Sequence, residues 1–524
     1  MKYNSTIQCV NIALLSMMAI PSIAQQKPNI LFIAVDDLKP ILGCYGDKLV
    51  KTPNIDRLAA RGTVFMQNYC QQAVCGPTRA SLMTGKRPDY TKVWDLKTQM
   101  RDVNPDILTL TQYLISQGYS TQGIGKIYDY RCVDNQLDSV SWSIPYFKNS
   151  DKYYSKITGT PQMNYQLPET KELIKKYRTE GEKKGLNGDK LSKYIEKVVK
   201  PSVECADVPD DAYVDGANVI RAKEILIELK KKSQPFFFAV GFAKPHLPFV
   251  APKKYWDMYQ RDEMPLAPFQ KHAKNSPELA YHNSGELRMY SDIPSLASFT
   301  DVKLNNIGLP KEKQKELIHG YYAAISYMDA QVGKLLNALD SLGLAENTII
   351  VLWGDHGWHL GDHDLWCKHT NFEQATKAPL LISAPGMRAG KTSSLTEFVD
   401  IFPTLCDLSN LKIPESLDGK SLVPIMKDPD SSVKEYAVSQ FPHEGKMGYS
   451  IRTTQYRLTW WMESGFRSNN LFKTDLILAK ELYDYKKDPL ETINVVNVKK
   501  YKSITNELEK RMVEFFKNQR SVIN

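Results

Sequence analysis

The chain has 524 residues, 68 Lys and Arg against 59 Asp and Glu for a net charge of +9, 42% hydrophobic residues and 8 cysteines. That apolar share, with 10% aromatics, builds a large core and excludes a disordered chain; so few cysteines over this length exclude a small disulfide-held scaffold. The mild positive excess fits an acidic ligand without predicting one and is more readily a solvated surface.

Residues 1–24 read as an export signal. Lys2 is their only charge, the stretch from Cys9 to Ile20 is mostly apolar, and Ser22-Ile23-Ala24 is a small-x-small cleavage site. The apolar stretch is shorter than the ~20 residues of a membrane span. A periplasmic or secreted protein without a membrane span is expected, beginning near Gln25 and keeping seven cysteines. An odd count asks which thiol has another use, and nothing in their spacing shows pairing.

Ile30-Leu31-Phe32-Ile33-Ala34-Val35 is a continuous apolar run of strand length that stops at Asp36-Asp37. Runs over 235–241 and 348–353 have the same character and are followed by Lys244-Pro245-His246 and Asp355-His356. Such runs suit strands buried on both faces of a parallel sheet. Amphipathic helices are predicted over 52–61, 108–117 and 316–342. The alternation predicts an α/β fold, a large mostly parallel central sheet flanked by helices, with functional groups at the carboxyl ends of the strands. Residues 150–200 read as an insertion with helical pieces, 263–300 as a long surface loop and 427–432 as a linker. Short alternating stretches over 449–461 and 479–485 and a charged helix over 501–518 predict a smaller C-terminal α+β domain. The expected division is a signal peptide over 1–24, a catalytic domain over 25–430 and the C-terminal domain over 431–524.

Asp36, Asp37 and Asp355 supply carboxylate oxygens at the ends of two buried strands, a set that suits a hard cation such as Ca²⁺ or Mg²⁺. An isolated Asp-Asp pair also fits a helix N-cap or a turn. No Cys-x-x-Cys pair supports structural zinc. The most informative stretch is Cys75-Gly76-Pro77-Thr78-Arg79, followed downstream by Thr84-Gly85. Arg79 follows Cys75 by four residues, about one helical turn, so the two can face one site.

This stretch resembles the signature of the sulfatase family, the formylglycine-dependent enzymes of the alkaline phosphatase superfamily. The resemblance extends to Val35-Asp36-Asp37-Leu38, Gly43-Cys44-Tyr45-Gly46-Asp47-Lys48, Gln71-Gln72-Ala73-Val74-Cys75, Lys244-Pro245-His246, Gly354-Asp355-His356-Gly357-Trp358 and Met447-Gly448-Tyr449-Ser450-Ile451-Arg452-Thr453. It is nearest to the iduronate-2-sulfatases and covers nearly the whole mature chain. The resemblance implies that a separate maturation enzyme oxidises Cys75 to formylglycine, which gives the seventh cysteine its use. The hydrated aldehyde then attacks the sulfur of a sulfate ester. It further implies a cation, Ca²⁺ before Mg²⁺, held by Asp36, Asp37, Asp355, His356 and the modified Cys75. His356 is assigned beside the metal, because imidazole is a poor Ca²⁺ ligand. Arg79 holds the hydrate, Lys126 and Lys368 bind sulfate and His246 protonates the leaving oxygen. Trp358, His359 and Asp129 are expected to contact substrate, and loops 128–141, 263–298 and 442–448 to set specificity. The implied partner is a sulfated glycan, a 2-O-sulfated uronic acid at a chain end, and no nucleic acid.

One position departs from the family pattern. Asp129 stands where the resembling enzymes carry a His that removes a proton from the remaining hydroxyl. A carboxylate could serve as base, but it repels sulfate by about 1 to 4 kcal/mol at ~4 Å, depending on the effective dielectric. Arg131 could offset that charge, or His359 or His363 could take over the role. The alternatives are a phosphodiester or phosphonate hydrolase of the same superfamily and an inactive glycan-binding homologue.

Overall fold

A seven-stranded sheet organises the chain. The computed structural model describes residues 27–135, 137–148, 164–293, 309–463 and 474–523. The expected export signal lies outside them, as do 150–163 of the insertion and 294–300 of the expected loop. The sheet strands are β1 (Asn29–Val35), β2 (Thr63–Tyr69), β3 (Ser120–Gly125), β4 (Phe236–Phe242), β5 (Thr348–Gly354), β6 (Leu380–Ser383) and β7 (Gly390–Glu397). Their spatial order is β7-β2-β6-β5-β1-β4-β3. Strand β1 lies between β4 and β5, parallel to both, with Ile33 opposite Val240 on one side and Leu352 on the other. Only β6 runs against its two neighbours. The three apolar runs are thus the centre of a mostly parallel sheet, and every residue of β4 and β5 is buried.

Helices α1 (Pro53–Ala59), α2 (Cys75–Thr84), α3 (Leu110–Ser116), α4 (Val214–Lys230) and α5 (Lys311–Ser341) surround the sheet. Helix α3 starts two residues later than predicted, because Thr109 and Gln112 form a reciprocal cap there. Helix α5 starts earlier, after Pro310, where a lysine-rich first turn hides the apolar period. Residues 168–183 and 188–196 form the helical pieces expected of the insertion.

The expectation of a surface loop over 263–300 is corrected where the structure describes it. Met264, Ala273, Ala280, Tyr281, Leu287 and Tyr290 are buried, and short 3₁₀ turns over Glu278–Ala280 and Leu287–Met289 tie the segment down. The segment lacks a helical or strand period but packs on the core.

Beyond the linker, β8 (Ala437–His443), β9 (Lys446–Arg452), β10 (Tyr456–Met462) and β11 (Ile477–Asp484) form an antiparallel sheet in chain order. Helix α6 (Lys502–Ile523) packs on it through Leu508, Met512 and Phe516, against Tyr449, Leu458 and Trp460. Burying that apolar face is what makes this small unit stable. The seven cysteines of the described residues are all free thiols.

Candidate active site

The carboxyl ends of β1, β4 and β5 bring the site together. The main-chain N–H of Asp36 donates to Phe242 O of β4, and that of Asp355 donates to Val35 O of β1. Asp37 turns out of the strand at φ 58°, its N–H donating to Asp355 Oδ1 at 2.9 Å and its carbonyl accepting from Tyr321 Oη of α5 at 2.6 Å. The two aspartates are therefore fixed by the central sheet register and by the long helix behind it.

Cys75 opens α2, whose ten residues are all buried, so a partial positive helix end points at the same place. Its Sγ lies 3.4 Å from His356 Nε2 and 3.9 Å from Asp37 Oδ1. Burial first, then the Asp36 carboxylate, push the thiol pKa well above its ordinary value. The unmodified side chain is thus a protonated thiol at neutral pH and a poor nucleophile.

Arg79 reaches across from α2. Its Nε donates to Asp355 Oδ2 at 3.0 Å, its Nη2 to Asp36 Oδ1 at 3.1 Å and its Nη1 to Ile127 O at 3.0 Å. Lys126 Nζ sits 2.5 Å from Asp36 Oδ2, and Lys368 Nζ sits 2.9 and 3.0 Å from the two oxygens of Asp37. Burial alone would raise the Asp36 carboxyl, but Lys126, His246, Arg79 and Lys368 together hold it well below its ordinary value. Asp355 goes the other way, raised by burial despite His356 and Arg79.

His246 lies in the turn after β4. Asp215, at the start of α4, accepts from the N–H groups of Ala243 and Lys244 at 2.9 and 2.8 Å. Lys244 Nζ in turn donates to the carbonyls of His246 and Pro248. Burial raises Asp215 to about 6 and lowers Lys244 to about 8. The His246 Nδ1 donates to Leu247 O at 2.6 Å, which leaves Nε2 facing the site, 3.7 Å from Asp37 Oδ2.

Asp36, Asp37, Cys75, His246, Asp355 and His356 offer ligand atoms in groups that lie within 4.8 Å of one another. The set is three buried carboxylates, the buried His356 imidazole, the half-buried His246 imidazole and one thiol; carboxylate oxygens dominate it, which fits a hard divalent cation and not a thiolate metal.

Two expected substrate contacts are not at the opening. Trp358 is fully buried among apolar side chains, with Lys368 Nζ 4.9 Å from its ring centre; it is a platform under the lysine. His359 is fully buried and hydrogen-bonded through Nε2 to Thr370 Oγ1, because it begins the two-residue strand that pairs with Trp366–Cys367 and so aims Lys368. Burial holds His359 well below its ordinary pKa. His363 is likewise buried, against Phe372 and Glu491 O, so neither histidine stands in for the missing one.

Asp129 does lie beside the site, 3.8 Å from Lys126 Nζ. It is buried in a two-point fork with Arg131, whose Nε and Nη2 donate at 2.8 Å each. Burial opposes ionisation, but the Arg131 hydrogen bonds win and hold Asp129 below its ordinary value, which makes it a weak base.

The sequence pattern does not point to Glu286, whose Oε1 lies 3.1 Å from both His246 Nε2 and Lys368 Nζ. Nothing local marks it, since it sits in the aperiodic segment after β4. Asp215 has no local signal either, and Lys244 carries one only as part of the motif that flags His246.

The sulfatase family model matches residues 28–411. The chain belongs to the sulfatase family. This sulfatase is a sulfuric ester hydrolase, and a second family model, described as N-sulphoglucosamine sulphohydrolase, C-terminal, matches residues 361–518. Iduronate 2-sulfatase of Mus musculus is 34% identical over 535 residues, covering 90% of this chain and 91% of that protein. Phosphonate monoester hydrolase of Agrobacterium radiobacter superposes with a TM-score of 0.68 at 22% identity, over 94% of this chain and 96% of that one. A structure solved with its substrate D-glucosamine-2-N,6-O-disulfate gives 0.67 at 22% identity, over 95% and 99%. At that identity the two structures show a shared fold and no more. Among the described residues no helix is long and apolar enough to cross a membrane.

Proposed function

We propose that this sulfatase removes sulfate from a sulfated carbohydrate, with a 2-O-sulfated uronic acid at a chain end as the preferred substrate. The observation that carries the reading is the convergence of Cys75, three carboxylates and two lysines at one end of the sheet. The likeness to iduronate 2-sulfatase supports the substrate class.

Asp36, Asp37 and Asp355, with His356 and the Cys75 side chain at the edge, would hold one divalent cation, Ca²⁺ before Mg²⁺, which when bound neutralises sulfate oxygens and acidifies the attacking hydroxyl. Formylglycine made from Cys75 by a separate maturation enzyme supplies that hydroxyl as an aldehyde hydrate. Arg79 does not need to touch substrate to matter. It ties Asp36 to Asp355 and keeps the donor oxygens at a fixed separation. Lys126 and Lys368 offset the charge that gathers on sulfate and on the bridging oxygen as the S–O bond breaks. His246 acts as the imidazolium, its Nδ1–H held by Leu247 O, and passes the Nε2 proton to that oxygen, which leaves as a sugar hydroxyl. Asp129 orients Arg131, whose side chain remains 38% exposed at the rim and cancels the repulsion a free carboxylate would exert on sulfate. The apolar leader over 1–24 supports export to the periplasm or the medium.

The test is an activity panel on protein co-produced with a formylglycine-generating enzyme. Disaccharides sulfated at 2-O, 6-O or N are compared, together with an aryl phosphonate ester. Sulfate release from the 2-O substrate is expected to dominate. Release only from 6-O or N positions contradicts the substrate class, and faster turnover of the phosphonate contradicts the reaction.

A further inference from the structure

The segment after residue 263, whose sequence suggests a surface loop, places one carboxylate inside the site. Ser284 Oγ accepts from the N–H of Trp366 at 3.1 Å, and Leu287 and Tyr290 are buried in the core on the other side of Glu286. The backbone of Glu286 is therefore clamped from both ends. Its Oε1 lies 3.1 Å from His246 Nε2 and 3.1 Å from Lys368 Nζ, and it touches none of the carboxylates assigned to the cation.

We infer that Glu286 is the positioning residue of the proton donor, holding the His246 ring between two anchors and setting its distance from Lys368. This rests on the reading of His246 as the group that protonates the leaving oxygen. An imidazole turns about two side-chain bonds, and Leu247 O restrains only the Nδ1 edge. Glu286 restrains the opposite edge. In the resting imidazolium the Nε2 proton lies against Glu286 Oε1; when the S–O bond breaks, its electron pair stays on the leaving oxygen and that proton turns from the carboxylate to it, leaving the ring neutral with Nδ1–H on Leu247 O. Glu286 stays in place through that step because Lys368 still donates to it. A ring displaced by ~1 Å costs about 10²-fold in rate, and only where the leaving oxygen needs the proton.

That last condition gives the test. Glu286→Ala, Glu286→Gln and His246→Ala are assayed on 4-nitrophenyl sulfate, whose phenolate leaves without help, and on 4-methoxyphenyl sulfate, whose phenolate does not. Glu286→Ala is expected to lower kcat on the methoxy ester by roughly 10- to 100-fold at constant KM, and on the nitro ester by less than about 3-fold. Glu286→Gln keeps an acceptor oxygen and is expected to restore most of the loss, with an unchanged melting temperature in both variants. Equal losses on the two esters, or no loss, overturn the inference. The His246→Ala control separates the two claims. The same leaving-group pattern there with none in Glu286→Ala sinks the role of Glu286 alone, whereas no pattern in His246→Ala sinks the proton-donor reading itself. Turnover of neither ester by the wild-type enzyme counts against both.

Discussion

Two clusters of buried charge use the same side chains for opposite ends. At the junction of the main sheet and the C-terminal sheet, Glu397 receives both Arg87 Nη atoms at 2.8 Å, and Lys434 Nζ bridges Glu397 and Asp400 at 2.7 Å each. Gln71 Nε2 and the Val438 N–H of β8 also donate to Glu397. Two acids meet two bases, and the group is closed. At the carboxyl ends of β1 and β5, three aspartates meet Arg79, Lys126 and Lys368, but here the cluster is open. Lys126 and His246 keep 22% and 27% of their side chains exposed, so their charges can be lent to a ligand. A closed charge cluster holds two layers together; an open one at strand ends does chemistry.

The contrast can be broken from either side. The largest effect is expected on the open side: Cys75→Ala removes the precursor of the nucleophile and should lower kcat by at least about 10⁴-fold while the melting temperature stays put. A large drop in melting temperature would mean that Cys75 is chiefly a packing residue. On the closed side, Glu397→Ala strands Arg87 and the Val438 N–H and leaves Lys434 with Asp400 alone, so denaturant unfolding should show a loss of about 3 to 5 kcal/mol. The remaining folded enzyme should keep its kcat, and a parallel fall in kcat would erase the distinction. Asp129→His is a gentler change: with Arg131 then unpaired, KM for a sulfated substrate should shift more than kcat, and no change in either would mean that the fork is irrelevant.

The smallest effect is a pH dependence of stability that belongs to neither cluster. Burial against Tyr281 lowers His272 to about 4 from its ordinary 6.5. The unfolded chain therefore takes up a proton below about 6.5 that the folded one refuses, so stability falls as pH drops from 7 towards 4. In melting curves at pH 7.5 and 5.0, His272→Phe should lose less on acidification than the wild type. An identical loss would remove His272 from the causes of acid sensitivity.

Much of the fold and of the site is legible in the amino-acid sequence. The runs 30–35, 235–241 and 348–353 are the three central strands, because only strands covered on both faces can be apolar at every position. Strands β3 and β7 carry Ser, Thr, Gln and Lys and lie at the two sheet edges, where polar residues are tolerated and the pattern is weak. Cys75, Arg79, Lys126, His246 and Lys368 do meet, as their motifs suggest. Trp358 and His359 depart from expectation for a simple reason: adjacency to Asp355 and His356 in sequence says nothing about which face of the turn points inward. Glu286 carries no sequence signal because its role depends on a segment folding back across the site, and no local period records that.

The most direct test of the central claim is peptide mass spectrometry on the Cys75 segment, run beside the desulfation assay on the same preparations. An aldehyde in place of the thiol is expected, with activity rising in proportion to the converted fraction. Full activity in protein whose Cys75 remains an unmodified thiol would contradict it.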